Sequence, residues 1–392
     1  MAAIVTSRSL VFSANKDAPW ASEMVLNPGI IKDPASGRIH MLFRATGPTP
    51  ERKIPGKRNP YPIFLGYAWS DDEGGTWSAD WSRPALSPAL AYEQSEIKIR
   101  AVSGAIVTNY SNGCIEDPRI FFFEGECFAI LACRMFPPGP YWENDEPTQC
   151  APDWVSEEGR NPFGKAASEN VTVNVLYKID LGKLAERKYD DAFAYVTHCT
   201  DPECGEDRDV MFFPSRLVID GQSSIVMLQR PWTPTVYPGI SEKKPSILLA
   251  RANSFEDFAH DRRGRTLLVA PRFGWEGNRI GASCPPVSLG NGEWLLNYHG
   301  KQDEKVGYTQ SFVILKEQDD TVVVKHRCPD RILVASEAWE QPGKFKSPVV
   351  FSTGLIMLSD GSLLISYGAA DERVGVARID TDELVRHVRT FD

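Results

Sequence analysis

No two of the eight cysteines stand at C-x-x-C spacing: Cys114, Cys127, Cys133, Cys150, Cys199, Cys204, Cys284 and Cys328 are scattered along the chain. This signals neither a zinc site nor a disulfide framework. They read as buried or incidental thiols, and Cys199 and Cys204 beside His198 form the one local cluster open to a metal. A basic excess is also missing, since 43 Lys and Arg face 52 Asp and Glu for a net charge of -9. That balance speaks against nucleic acid or an anionic membrane as partner, and any phosphate ligand has to meet a local basic cluster. No stretch approaches the ~18 apolar residues of a membrane span. Residues 1–10 show no basic segment followed by an apolar core. A soluble, cytoplasmic protein is expected. There is no G-x-x-x-x-G-K loop to cradle a nucleotide.

What the chain does have is one pattern five times over: an extended apolar run, a tight turn and a returning apolar run. The turns fall at Asp33 to Arg38, Glu124 to Glu126, Asp220 to Gly221, Gly290 to Gly292 and Ser359 to Gly361. A third strand-like run follows each hairpin, at Phe64 to Ser70, Val171 to Ile179, Ser246 to Ala252, Gly307 to Leu315 and Val374 to Ile379. Weaker fourth runs lie at Ala192 to Thr197, Thr266 to Ala270 and Thr321 to His326. About four strands per repeat, none able to bury both faces alone, predict an all-β, five-bladed β-propeller. We expect one catalytic domain over residues 1–392, with an inserted loop at about 136–170. Ser70 to Trp77 fits S-x-D-x-G-x-T-W, a turn between outer propeller strands in which Asp72 accepts from the backbone and Trp77 packs between sheets. The insertion carries Tyr141, Trp142 and Trp154, aromatics that can wall a sugar cleft or simply pack the loop.

Among groups able to do chemistry, Cys114 to Ile120 stands out, because Glu116-Asp117-Pro118-Arg119 sets an acid before a residue of fixed φ at the start of a β-rich run. There Asp117 can protonate a leaving oxygen at the mouth of a central channel, with Arg119 or Glu116 tuning it. It can equally be a turn Asp capping a strand.

The string Ile115 to Ile120 resembles the G-V-E-D-P-R-I motif of glycoside hydrolase family 130, the mannoside phosphorylases and related mannosidases. The likeness continues with Leu42-Phe43-Arg44-Ala45 (L-Y-R-A), Phe213 to Arg216 (F-P-E-K) and Leu228 to Pro231 (M-L-H-R-P). It runs on through Ile280 to Pro286 (I-G-A-G-P-P-P), Trp294 to Gly300 (W-L-L-x-Y-H-G) and Tyr367 to Asp371 (Y-G-A-A-D). The resemblance implies Asp117 as sole acid of an inverting reaction, passing its proton through a hydroxyl of the bound mannose while inorganic phosphate attacks the opposite face. It implies Arg44, Arg216, Arg230, His299 and Tyr308 around the phosphate; Asn27, Glu116, Arg119 and Asp371 are the candidates around the sugar, joined by Trp142 for the stacking face the insertion offers. The partners are then an oligosaccharide and inorganic phosphate as co-substrate, with no metal or other cofactor, and self-association is left open. Three departures put acceptor and linkage in play: Ser215 and Arg216 replace Glu and Lys, Gln229 replaces His, and 136–170 interrupts blade two. Hydrolytic relatives use a Glu to activate water, for which Glu276 and Glu206 are the candidates. A propeller that only binds carbohydrate is the third reading.

Overall fold

The five hairpins form the inner halves of five sheets arranged as a ring. The computed structural model describes residues 3–48, 63–87, 98–108, 110–111, 114–135, 162–169, 171–318 and 321–392. After β1 (Val5–Phe12), blade one holds β2 (Met24–Lys32), β3 (Ile39–Thr46), β4 (Phe64–Ser70) and β5 (Ser78–Asp80). A short ribbon, β6 (Lys98–Arg100) with β7 (Ile106–Thr108), precedes blade two. Blade two is β8 (Ile115–Phe123), β9 (Glu126–Arg134), β10 (Thr172–Ile179) and β11 (Phe193–His198). Blade three is β12 (Asp207–Phe212), β13 (Leu217–Ile219), β14 (Gln222–Pro231), β15 (Ile247–Ala252) and β16 (Arg265–Val269). Blade four is β17 (Arg279–Ala282), β18 (Val287–Gly290), β19 (Glu293–Lys301), β20 (Tyr308–Gln318) and β21 (Thr321–Arg327). Blade five is β22 (Val350–Met357), β23 (Leu363–Ala369) and β24 (Arg373–Ile379), completed by β1.

That completion closes the ring: β1 pairs antiparallel with β24, from Val5 opposite Ile379 to Phe12 opposite Val374. The fold is a five-bladed β-propeller. Sequence patterning located no fourth strand for blades one and five; the short β5 and the distant β1 fill those places. The apolar runs of the third and fourth repeats are each broken in two, at Phe213–Arg216 and Ser283–Pro286. Pro214, Pro285 and Pro286 lack the N–H that an unbroken ladder needs. Of the insertion, residues 162–169 are described and include a helical turn, α1 (Gly164–Ser168). Trp142, Tyr141 and Trp154 lie outside the described residues.

The core lies between blades. Successive residues of a strand point to opposite faces, so Ile120 packs with Leu42 and Tyr67 of blade one while Phe121 packs with Phe212 and Met227 of blade three. Further layers join blades three and four (Met211, Leu228, Ile280, Leu296), four and five (Phe312, Ile314, Val350, Ile365), and five and one (Phe43, Met41, Leu364, Val376). Burying each such side chain contributes about 1.5–3 kcal/mol over leaving it exposed. The 70–77 turn is as expected: Asp72 accepts from the Thr76 amide and hydroxyl, both at 2.8 Å, and the Trp77 indole donates to the Gly74 carbonyl at 3.1 Å.

Three innermost strands carry a register break at corresponding positions, between Leu26 and Gly29, Glu116 and Arg119, and Arg208 and Met211. Each bulge places one residue at left-handed φ: Asn27 at 46°, Asp117 at 53° and Asp209 at 56°. Asn and Asp tolerate that conformation better than other side chains, and a bulge re-aims the side chain it carries.

Candidate active site

Two of the bulged residues meet through their side chains, and Arg119 links the third, Asp209, to the Asp117 carbonyl. Asn27 Nδ2 donates to Asp117 Oδ1 at 2.7 Å, and Arg44 Nη1 approaches the same oxygen at 3.4 Å. Asp117 is buried, with 5% of its surface exposed, so its carboxyl is fixed at the inner ends of blades one and two. Glu116 beside it meets Arg44 Nη1 and Arg208 Nη1 through Oε2, each at 3.2 Å. Burial pushes the Glu116 carboxyl up, but Arg44, Arg208 and Arg134 outweigh it and hold it at about 2. Glu116 therefore stays ionised, as a structural anion among guanidiniums.

Arg208 continues outward to Glu206, whose Oε1 accepts from its Nε. The other Glu206 oxygen accepts from the Thr172 amide at 2.8 Å and from Arg134 Nη1 at 3.5 Å. Glu206 is thus tied to Glu116 through Arg208, with both of its oxygens engaged. Burial raises its pKa and the Arg208 and Arg134 charges lower it, for a net depression.

Asp209 is the second junction. Its carboxylate takes Arg119 Nη2 at 2.9 Å and Arg230 Nε at 2.8 Å, and lies 3.4 Å from His299 Nε2. Those partners come from blades two, three and four, and together they hold Asp209 far below the usual carboxylate range against the cost of burial. Gly281 makes room for this: a Cβ there would stand 2.2 Å from Asp209 Oδ2. His299 is fully buried, burial lowers its pKa, and its Nδ1 pairs with Ser283 Oγ at 3.0 Å. Arg230 is 4% exposed, and its Nη1 has no hydrogen-bond partner among the described residues. Because Arg208 stands opposite Arg230 across the β12–β14 ladder, both side chains leave the same face of the sheet.

Asp371 follows Ala370 past the end of β23, both with left-handed φ. Burial pushes its carboxyl up to about 6; Arg44 opposes the rise and Asp117 adds to it. Tyr308 lies against His299 and Phe351, with centroids 5.5 and 5.4 Å away, and its hydroxyl meets Arg279 Nε and Nη2.

Three expectations need correcting. Arg216 is not near the acid: its Nε binds Glu124 at 2.8 Å and its Nη1 reaches the Asn253 carbonyl, on the outer hairpin turns. Glu276 is not a free base. It is fully buried, accepting from Tyr298 at 2.8 Å, Arg327 Nη2 at 2.7 and 2.8 Å, and the amides of Arg272 and Phe273. Glu340 repeats this arrangement with Tyr367, Arg8 and the amides of Ser336 and Glu337. Arg119 is 1% exposed and donates to the Ser283 carbonyl, Asp209 and the Asp117 carbonyl, so it binds blades together rather than sugar.

Sequence reasoning missed Arg208, Asp209 and Arg134. The signal was present in Asp207-Arg208-Asp209-Val210, a charged cluster before an apolar run at the place in its blade that Glu116-Asp117-Pro118-Arg119 takes in the preceding one. Cys199, Cys204 and His198 do not converge as ligands. Among the described residues, the group that brings three donor atoms together is Cys328, Asp330 and His387 beside the C-terminal helix Thr381–Val388.

The profile of glycoside hydrolase family 130, described as β-1,4-mannooligosaccharide phosphorylase, matches residues 184–390. A 1,2-β-oligomannan phosphorylase of a Thermoanaerobacter species is 34% identical over 365 residues, 93% of each chain. A β-1,4-mannooligosaccharide phosphorylase of Ruminococcus albus is 29% identical over 124 residues, 31% of this chain and 37% of that protein, so the aligned part spans little more than a third of it. Among solved structures, a β-1,2-mannobiose phosphorylase from Listeria innocua in complex with β-1,2-mannobiose is similar in fold, with a TM-score of 0.60 and 18% identity, covering 100% of this chain and 95% of that one.

Proposed function

Since this chain belongs to glycoside hydrolase family 130, we propose that it is an inverting phosphorylase that cleaves β-mannosides with inorganic phosphate to mannose 1-phosphate and a shorter saccharide. The observation that carries this reading is the pair of guanidiniums, Arg208 and Arg230, on one face of blade three beside the acid, with Arg230 Nη1 buried and unpartnered among the described residues. A dianion entering an acidic protein needs converging forked donors, and Arg supplies two hydrogens to two oxygens at once. Arg44 shares Glu116 with Arg208, His299 shares Asp209 with Arg230, and Tyr308 lies against His299. Asp117, steadied by Asn27 and Arg44, is the proton donor. Asp371 is placed to accept from sugar hydroxyls, and Glu116 sets the guanidiniums.

In the reaction the Asp117 proton passes, through a hydroxyl of the terminal mannose, to the leaving oxygen as the glycosidic C–O bond breaks. A phosphate oxygen forms the new bond to the anomeric carbon from the opposite face, so no second carboxylate is needed as base. The two Glu candidates for water activation support this choice, since Glu276 is locked in a buried network and both oxygens of Glu206 are engaged.

The test is incubation with β-1,2- and β-1,4-linked mannobiose, with and without phosphate, following mannose 1-phosphate against free mannose. Phosphate-dependent sugar phosphate is expected, falling by about 10²–10⁴-fold in Asp117→Asn, the usual weight of a general acid. Free mannose at the same rate without phosphate shows a hydrolase instead, and no turnover of either substrate overturns the assignment.

A further inference from the structure

A singly exposed apolar side chain is ordinary in itself, but an aromatic ring held rigidly beside a polar site offers a flat face to a ligand. Trp232, two residues beyond Arg230, keeps 48% of its surface exposed. It is nonetheless held in place. Its amide donates to the Glu206 carbonyl at 2.8 Å, which fixes the backbone beside the Arg208–Glu206 cluster. The Arg279 guanidinium lies 5.2 Å from its ring centroid and 5.2 Å from that of Tyr308, so one cation is shared by two aromatic rings. Arg230 lies 5.8 Å from the same indole. Tyr308 in turn contacts His299 and Phe351. The result is a continuous wall from buried His299 to open Trp232, running along the join of blades three and four.

We propose that Trp232, braced by Arg279 and Tyr308, is the stacking platform for a pyranose ring of the saccharide on the leaving side of the cleaved bond. The inference rests on the function proposed above and adds a subsite to it. Depth decides which part of the substrate the platform meets. Asn27, Asp117 and Arg230 are all 5% exposed or less, so the terminal mannose and the small phosphate fit the inner positions, and what extends to the rim is the leaving saccharide. An indole offers that ring a flat apolar face for its C–H groups, while Arg279 at the edge offers donors to its hydroxyls. Shielding of the Arg279 guanidinium is the competing role, and the test separates them.

The experiment runs the reaction in the synthetic direction, with mannose 1-phosphate as donor and mannose or β-mannobiose as acceptor, on the wild type, Trp232→Phe and Trp232→Leu. Leu keeps apolar bulk against Arg279 and removes the flat ring; Phe keeps a ring. Acceptor KM is expected to rise roughly five- to tenfold in Trp232→Leu and much less in Trp232→Phe, with KM for mannose 1-phosphate unchanged. A rise in KM for mannose 1-phosphate or phosphate with acceptor KM unmoved overturns the platform and makes Trp232 a support for Arg230. If the wild type forms no sugar phosphate at all, the phosphorylase reading fails by itself. The platform is then judged by calorimetric titration of β-mannotriose into Asp117→Asn with and without Trp232→Leu. Weaker binding in the double variant sustains it; equal affinities, or no binding to either, overturn it.

Discussion

A carboxylic acid that donates protons has to be held without being neutralised by a tight ion pair, and Asp117 meets that condition through Asn27 at 2.7 Å and a looser Arg44 at 3.4 Å. Asp371 titrates nearer to working pH. Its carboxyl is raised from the ordinary 3.8 to about 6, first by burial. In the sugar-binding role proposed for it, the ionised carboxylate accepts hydrogen bonds from sugar hydroxyls and the protonated form accepts fewer. Oligosaccharide KM is therefore expected to fall as pH rises through about 6, and Asp371→Asn to lose that dependence in a pH series. Stability runs the other way. A raised folded-state pKa gives a contribution that is present below 3.8 and lost as pH rises through about 6, so Asp371→Asn should melt above the wild type at pH 7.5 and not at pH 4. Gly281 gives a second prediction. In Gly281→Ala the new Cβ lies 2.2 Å from Asp209 Oδ2, and Asp209 must shift together with Arg230 and His299. A displacement of about 1 Å in a catalytic constellation costs on the order of 10²-fold. That loss should appear in kcat/KM for phosphate with the circular dichroism spectrum unchanged.

Strands and turns show why some of the site could be read beforehand and some could not. Asp117 was singled out because Ile115 to Ile120 resembles a family motif; the residues by themselves left a strand-capping turn as the alternative. Arg208 was not, because the string Phe213-Pro214-Ser215-Arg216 drew attention past it to an arginine that the β12–β13 break sends to the outer turns. String resemblance does not carry the bulge between Arg208 and Met211, and the bulge decides which side chains reach the mouth. Hairpins and third strands were legible throughout, since their period follows from burial on both faces. The Trp-Glu pairs Trp275-Glu276 and Trp339-Glu340 repeat in successive blades, and both prove structural: each Trp packs on the Tyr that donates to the neighbouring Glu, Tyr298 or Tyr367. Glu276→Ala leaves Arg327 and Tyr298 without their buried acceptor. It is expected to cost about 3–5 kcal/mol in urea unfolding while activity per folded molecule is kept. A catalytic base at this position would show the reverse, lost activity with stability intact.

Across the whole molecule, five inter-blade layers share the core, and none can be removed without exposing two blades. The strand pair β1–β24 is the seam. Deleting residues 3–12 removes the outer strand of blade five and the Arg8 guanidinium that binds Glu340 at 2.9 Å. We expect the truncated chain to lose its single cooperative melt and to show a lower soluble yield, measured by calorimetry and by fractionation after expression. An intact melt at the wild-type temperature would show that the remaining strands of blade five suffice.

The same seam bears on how the molecule comes into being. Val5 leaves the ribosome long before its partner Ile379, which is made only after four blades and most of the fifth. Until then the edge of β1 has nothing to pair with, and the emerging chain is an open arc with two unsatisfied ends. Closure joins segments at the greatest sequence separation the fold contains, which makes it a slow step. Asp117 comes from blade two, Arg208, Arg230 and Trp232 from blade three, His299 from blade four and Asp371 from blade five, so the full set of side chains is assembled only once the last blade has been made.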